Sequence, residues 1–241
     1  MPRFFVDKKD ILEDEIKITG DNYRHLTGVL RAKIGDEIEV CNGEKRDYLC
    51  KIISINSECV IANVLSDFVS IGEPKCNITL LMAMPKGDKA ELIIEKATEL
   101  GVFKIVFFIS KFCVSRPSEK DFSKKQIRYK KVAESAAKQS KRGIVPEILF
   151  LDSIKKAVNF TDVDNDKIIF YEGKASPIKE VLKNISSQNI SIMIGSEGGF
   201  DKDEVTLAEN AGFKKASLGT RILRCETAPI SAISIILYEK E

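Results

Sequence analysis

The chain has 241 residues, 44% of them hydrophobic and 31% charged, and a formal net charge of +2; this is enough for two modest domains, each with its own core. No apolar run approaches the roughly 20 residues needed to cross a bilayer, and the opening residues, Met1-Pro2-Arg3-Phe4-Phe5-Val6-Asp7, lack the apolar stretch of a signal peptide, so a cytoplasmic location is expected. Cys41, Cys50, Cys59, Cys76, Cys113 and Cys225 form no C-x-x-C pair and only one histidine is present, which argues against a metal site and predicts reduced, mostly buried thiols.

From the N-terminus, short β-rich runs at Arg3 to Val6, Glu15 to Ile18, Glu37 to Cys41, Tyr48 to Ile55 and Cys59 to Leu65 predict a small barrel, with turn signals such as Asn42-Gly43 between them. One helix, Asp21 to Leu30, interrupts it, with Tyr23, Leu26, Val29 and Leu30 on one apolar side. Gly72-Glu73-Pro74 reads as a linker, placing the domain boundary between residues 1–72 and 73–241. Beyond it, strand-like runs at 77–84, 102–109, 147–151, 167–172 and 190–195 alternate with helical ones, an α/β pattern with a mostly parallel sheet. Asp88 with Glu91 is spaced as a capping box; Ala90, Ile93, Ile94, Ala97 and Leu100 follow at helical spacing, and Gly101 is a natural end. Asp201 with Glu204 repeats the device, with Phe200 and Val205 as a hydrophobic staple and Gly212 as the stop.

Charge is unevenly distributed. Residues 116–142 hold ten basic side chains against three acidic ones, a local +7 that leaves the rest of the chain at −5. Such a stripe is the electrostatic footprint expected for a phosphate backbone; a solvated helix face is the alternative, and the charge alone does not choose between them.

Two loops near the C-terminus stand out. The apolar strand Ile190-Ser191-Ile192-Met193-Ile194 runs into Gly195-Ser196-Glu197-Gly198-Gly199-Phe200, where glycine lets a ligand approach exposed backbone N–H groups. Its spacing and late position fit neither a dinucleotide fingerprint nor a phosphate loop. About twenty residues later, Leu218-Gly219-Thr220-Arg221-Ile222-Leu223-Arg224-Cys225-Glu226-Thr227-Ala228-Pro229 precedes an apolar helix, which is expected to be buried on most sides. Thr227 is placed to cap that helix and Pro229 suits its first turn. A polar loop with two arginines feeding a buried helix is a candidate pocket lining.

These two loops resemble the cofactor loops of the RsmE family of ribosomal RNA uridine-N3 methyltransferases. The likeness extends to Lys86-Gly87 with Glu95-Lys96-Ala97-Thr98-Glu99-Leu100-Gly101-Val102, to Ala136-Ala137-Lys138-Gln139-Ser140-Lys141-Arg142 with Val145-Pro146-Glu147-Ile148, and to Arg3-Phe4-Phe5-Val6 and His25-Leu26 with Val29-Leu30-Arg31. It covers nearly the whole chain, in order. Ser196 and Thr220 stand where the family usually has proline, and Cys225 where threonine is common.

The resemblance implies a PUA-like barrel followed by a SPOUT domain with a trefoil knot, a homodimer, S-adenosyl-L-methionine as cofactor and small-subunit ribosomal RNA, or the subunit itself, as partner. By motif position the cofactor residues are Met193, Gly195, Glu197, Gly198, Leu218, Gly219, Ile222, Leu223, Arg224 and Thr227. Arg224 is the candidate for stabilising negative charge on the uracil carbonyl oxygens; phosphate binding or a pair with Glu226 is the alternative. Arg3, Arg31, Lys86, Arg116, Gln139 and Arg142 are the RNA-binding candidates, while Glu172 is a weaker candidate for a base and His25 is expected to be structural. A methyltransferase acting on another RNA nucleotide and a catalytically silent RNA-binding protein are the alternative functions.

Overall fold

The structure, a computed structural model, describes residues 1–162 and 165–240. The chain divides into two units, Met1–Glu73 with Ala137–Val145, and Pro74–Ala136 with Pro146–Glu241. The segment 137–145 thus groups with the first unit although it lies far beyond the linker in sequence.

In the first unit, β1 (Arg3–Phe5), β2 (Glu15–Ile18), α1 (Gly20–Arg24), β3 (Glu37–Cys41), β4 (Arg46–Ile55) and β5 (Val60–Val69) follow one another. The strands form one sheet in the order β1-β3-β4-β5-β2, with β1 parallel to β3 and the other pairs antiparallel. Period-two alternation explains the inner face: Ile16 and Ile18 of β2 are buried and Glu15 and Lys17 are not. They meet Phe4, Leu26, Ile38, Val40, Ile52 and Val60 in one core. Register shifts at Leu49/Cys50 and Ile52/Ser54 bend the long β4–β5 pair. The helix expected over 21–30 changes pitch, since α1 gives way to a π turn over His25–Val29. Of its expected apolar side only Leu26 is fully buried; Val29 and Leu30 face solvent.

The second unit contains β6 (Asn77–Ala83), α2 (Lys89–Leu100), β7 (Lys104–Phe108), most of α3 (Glu119–Gln139), β8 (Glu147–Leu151), α4 (Ile154–Phe160), β9 (Asp166–Phe170), β10 (Ser176–Pro177), α5 (Ile178–Leu182), β11 (Asn189–Ile194), α6 (Lys202–Asn210), β12 (Lys214–Ser217) and α7 (Thr227–Lys240). Its seven strands are all parallel, in the order β10-β12-β9-β11-β6-β7-β8. A parallel sheet covered on both faces wants nearly continuous apolar strands, and β6, β7 and β11 supply them: Leu80, Leu81, Met82, Ile105, Val106, Phe107, Ile192 and Met193 are fully buried.

The two predicted capping boxes fare differently. Asp201 accepts from the Asp203 N–H, and Glu204 closes the box on the Asp201 N–H, with Phe200 and Val205 both buried. Asp88 makes no side-chain cap bond, because its backbone (φ −90°, ψ 3°) is not extended and cannot turn the carboxylate back over the helix. Gly101 does end α2, in the left-handed region at φ 109°. There a Cβ would lie 2.3 Å from Pro74 Cγ, so glycine also lets the chain at Pro74 pass close to the end of α2.

The last helix is not buried on most sides as expected. Pro229, Ala232, Ile233, Ile236 and Leu237 are buried, Ile230 and Ile235 only partly, and Tyr238 is 85% exposed. All six cysteines are free and buried.

Candidate functional site

The carboxyl ends of β9, β11 and β12 converge, and the loops leaving them line a cleft within the second unit. Ligands of open parallel sheets bind in this position, outside the carboxyl ends of the strands. Phe170, Tyr171 and Glu172 come from the end of β9; Ile194 to Glu197 and Gly199 follow β11; Ser217 to Gly219 with Arg221 to Leu223, Cys225 and Ala228 follow β12.

The first loop is a tight turn. The Gly199 N–H donates to Ser196 O at 3.0 Å, and Gly199 adopts φ 67°, which favours glycine. At Gly195 a Cβ would sit 2.9 Å from the Gly199 carbonyl carbon and 3.0 Å from its Cα, backbone atoms that cannot rotate away. Gly195→Ala must therefore open the turn, and overpacking of this kind costs about 1–3 kcal/mol. A fall of about 5- to 150-fold in cofactor affinity is expected by calorimetry; unchanged affinity would show that the turn is not part of the binding surface.

One ammonium joins the two loops. Lys89 Nζ, at the start of α2, lies 3.0 Å from Glu197 Oε1 and 3.3 Å from Glu226 Oε2, and 3.6 Å from Cys225 Sγ. Glu197 Oε1 also accepts from the Lys86 N–H at 3.1 Å. Hydrogen bonding to Glu197 foremost, then to Glu226, raises the Lys89 pKa above its ordinary value. Burial pushes both carboxyls up, but hydrogen bonds from backbone N–H groups, Lys89 and Cys225 outweigh it and hold Glu197 and Glu226 below the usual carboxylate range. Burial first, then the Glu226 carboxylate, pushes the Cys225 thiol up to about 12, so it stays neutral and sits 3.3 Å from Glu226 Oε2. Lys89 carries no local motif, and no spacing rule links it to partners more than one hundred residues away.

The predicted cofactor residues divide accordingly. Gly195, Glu197, Leu218, Gly219, Ile222 and Leu223 line the cleft. Met193 is buried within β11 behind it, Gly198 faces away from it onto Phe112, and Thr227 opens α7 with its N–H on Arg224 O at 2.9 Å. Arg224 is exposed beside the cleft, and its guanidinium has no ion pair among the described residues, Glu226 being engaged by Lys89 instead. Glu172 lies just past the end of β9 and lines the cleft against Gly199.

Among the RNA candidates, Arg31, Lys86 and Gln139 are exposed within their own units. Arg3 and Arg142 are not available to a phosphate. Arg3 is buried in ion pairs with Glu39 and Asp47 and donates to Arg142 O at 2.7 Å; Arg142, 1% exposed, holds Glu73 through Nε at 2.8 Å and Nη2 at 3.0 Å. Both are internal struts of the first unit. Arg116 turns its guanidinium onto its own loop, donating to Cys113 O, Ser110 O and Lys111 O. His25 packs edge-on against Phe4, with ring centroids 6.0 Å apart.

The profile of the RNA methyltransferase domain matches residues 72–237, and that of the RNA methyltransferase PUA domain matches residues 18–65. The class is therefore an RNA methyltransferase with an N-terminal PUA-like domain. The ribosomal RNA small subunit methyltransferase E of Bacillus subtilis is 30% identical over 100% of this chain and 98% of its own, and that of Mesomycoplasma hyopneumoniae 34% over 95% and 96%. A crystal structure of the Neisseria gonorrhoeae ribosomal RNA small subunit methyltransferase E bound to S-adenosyl methionine superposes with a TM-score of 0.88, at 30% identity, over 98% of this chain and 96% of that one. The chain belongs to the RsmE family, within the SPOUT superfamily.

Proposed function

We propose that this protein methylates N3 of a uridine in small-subunit ribosomal RNA, with S-adenosyl-L-methionine as the donor. The observation that carries the reading is the cleft at the sheet's carboxyl edge, built from the two loops that Lys89 bridges, in a chain of this family. The lining suits the donor: Phe170, Ile194, Leu218 and Leu223 give an apolar slot for adenine, Glu172 and Glu197 bring carboxylates, and Ser196 Oγ is a buried polar atom with no partner among the described residues. When bound there, S-adenosyl-L-methionine supplies an electrophilic methyl group.

The chain's own residues then position and polarise. The backbone of Leu218, Gly219, Ile222 and Leu223 holds the adenine, and Gly195 with Glu197 borders the remainder. Uridine N3 carries a weakly acidic proton, so attack needs stabilisation of the uracil anion. Arg224, whose guanidinium has no ion pair among the described residues, would supply it by stabilising the negative charge on the uracil carbonyl oxygens, keeping its own proton while the N3 proton passes to a base or to solvent. Arg224→Ala is expected to lower kcat about 100-fold, the scale of losing one anion-stabilising donor, while leaving cofactor affinity intact. Wild-type turnover in the folded variant would remove Arg224 from the mechanism.

The apolar, partly uncovered α7, with Tyr238 85% exposed, supports a homodimer. The placement of β12 between β10 and β9, followed by α7 against α2, is compatible with threading of the C-terminal segment through a trefoil knot. The first unit, Met1–Glu73 with Ala137–Val145, serves RNA recognition and the second methyl transfer, and the protein acts in the cytoplasm. The decisive experiment is nucleoside mass spectrometry of small-subunit RNA from cells lacking this protein, before and after incubating isolated subunits with the purified protein and donor. N3-methyluridine absent before and present after is the expected result; a different methylated nucleoside would move the target, and none would overturn the activity.

A further inference from the structure

We infer that Phe112 is a stacking platform for an unpaired base of the RNA substrate, a site that neither the loop motifs nor the basic stripe points to. The inference rests on the RNA methyltransferase reading above and adds to it the residue that receives the base.

Isolated exposed apolar side chains are ordinary on protein surfaces, so exposure alone means little. Phe112 differs in how it is held. The residue is 42% exposed, and its ring stacks on no other aromatic among the described residues. It lies directly behind the glycine loop of the cofactor cleft: a Cβ on Gly198 would be 2.7 Å from Phe112 Cβ. The loop that presents it is tied at several points. Arg116 bridges the carbonyls of Ser110, Lys111 and Cys113 at 3.1, 2.6 and 3.1 Å, and the Lys111 N–H donates to Glu204 Oε1 at 2.7 Å. Buried Cys113 accepts from the Ser110 N–H at 3.3 Å. Lys111 Nζ is 5.9 Å from the ring centroid and pinned to Asp201 at 2.9 Å, and Val114, two residues further along the chain, is exposed too.

A rigid aromatic face beside cations is what single-stranded nucleic acid uses, because every base has a π face and stacking tolerates any sequence. The chemistry of the reaction demands such a partner. N3 lies on the pairing edge of uracil, so a uridine can be methylated there only when it is unpaired, and an unstacked base needs a new surface for its face. Phe112 provides one behind the glycine loop, on the side away from the cleft, for a base flanking the target rather than the target itself. The Arg116 guanidinium, folded onto the loop, builds the platform rather than contacting phosphate.

The chain has no tryptophan, so Phe112→Trp installs a single indole that can be excited selectively over the tyrosines. Titration with a short single-stranded oligouridylate is expected to quench its emission, with methylation of small subunits retained. Phe112→Leu keeps apolar contact with Gly198 but removes the π face; losing one stacked base is expected to raise the KM for RNA about 5- to 150-fold, with donor affinity by calorimetry unchanged and Phe112→Tyr restoring the KM. No quenching together with a wild-type KM for Phe112→Leu overturns the platform, and so does a loss of donor affinity in Phe112→Leu, which would make Phe112 a prop for the glycine loop. If the wild-type protein methylates no uridine, the functional reading itself fails; if it methylates while the indole stays unquenched and Phe112→Leu keeps the wild-type KM, only the platform does.

Discussion

Lys89→Met is expected to weaken donor binding about 5- to 30-fold at pH 7, and to regain part of it as the pH falls toward 5. The ammonium holds Glu197 and Glu226, which belong to different loops, at 3.0 and 3.3 Å. Without it two carboxylates that shared one ammonium are left near each other beside the cleft with no cation between them, and like charges so placed force the loops apart or one group to take up a proton. The three side chains are 35%, 32% and 15% exposed, which places the cluster between surface pairs worth under about 1 kcal/mol and buried pairs whose breaking costs several; about 1–2 kcal/mol corresponds to the stated loss. The sign of the pH effect follows from the shifts. Both carboxyls lie below their ordinary range and Lys89 above its own. The depressed carboxylates stabilise the folded form above their unfolded pKa and lose this as pH falls through the folded one; the raised ammonium stabilises it below its unfolded pKa and loses this as pH rises through the folded one. Wild-type affinity should therefore be flat from about pH 6 to 9. In Lys89→Met the carboxyls lose their counter-charge, the more easily protonated one moves upward, and acid relieves the repulsion. Calorimetry at pH 7 and pH 5 checks both halves; affinity matching wild type at pH 7, or falling further at pH 5, would refute the latch.

What the sequence reveals about this site is what local grammar can encode. The glycine loop is legible because an apolar strand, a glycine cluster and a capping box follow in order, and the structure has all three in place. The second loop is legible as a polar stretch before an apolar helix. Other features rest on contacts between distant segments and leave no local trace. β12, Lys-Lys-Ala-Ser, has no apolar run to mark it in the sequence and is absent from the predicted strands, yet pairing with β9 and β10 makes it a strand and brings Leu218 and Gly219 to the cleft. Lys89 looks like any helix-start lysine until Glu197 and Glu226 arrive from elsewhere. Asp88 has the spacing of a cap without the backbone angles, since spacing specifies which residues are near and not how the chain enters the helix. Family likeness has the same limit: it matches Arg3 and Arg142 by identity, but burial decides whether a guanidinium meets RNA or the protein's own carboxylates.

That limit gives the second large effect. Arg142→Met is expected to lower the melting temperature by about 6–20 °C. Arg142 is 1% exposed and bidentate on Glu73, whose side chain is 9% exposed and otherwise receives the N–H groups of Gly143 and Ile144 at 2.8 and 3.2 Å. Removing one member of such a pair leaves a buried charge uncompensated, at a cost of about 3–5 kcal/mol, and in a chain of this length each kcal/mol moves the transition by about 2–4 °C. Glu73→Gln in the same chain removes the stranded charge while its carbonyl still accepts from the two backbone N–H groups, so the double variant should recover most of the loss. Arg142→Lys separates this role from RNA binding: a lysine keeps the positive charge a phosphate wants but cannot reproduce the guanidinium's two parallel bonds. A phosphate-binding residue would tolerate that exchange in RNA affinity and show no stability defect. A strut would lose stability in Arg142→Lys and gain nothing from Glu73→Gln on RNA. Calorimetric unfolding of the three variants, with RNA binding measured well below their transitions, distinguishes the two roles; an Arg142→Met protein melting within about 1 °C of wild type, some 0.3–0.5 kcal/mol, would show that the pair holds nothing together.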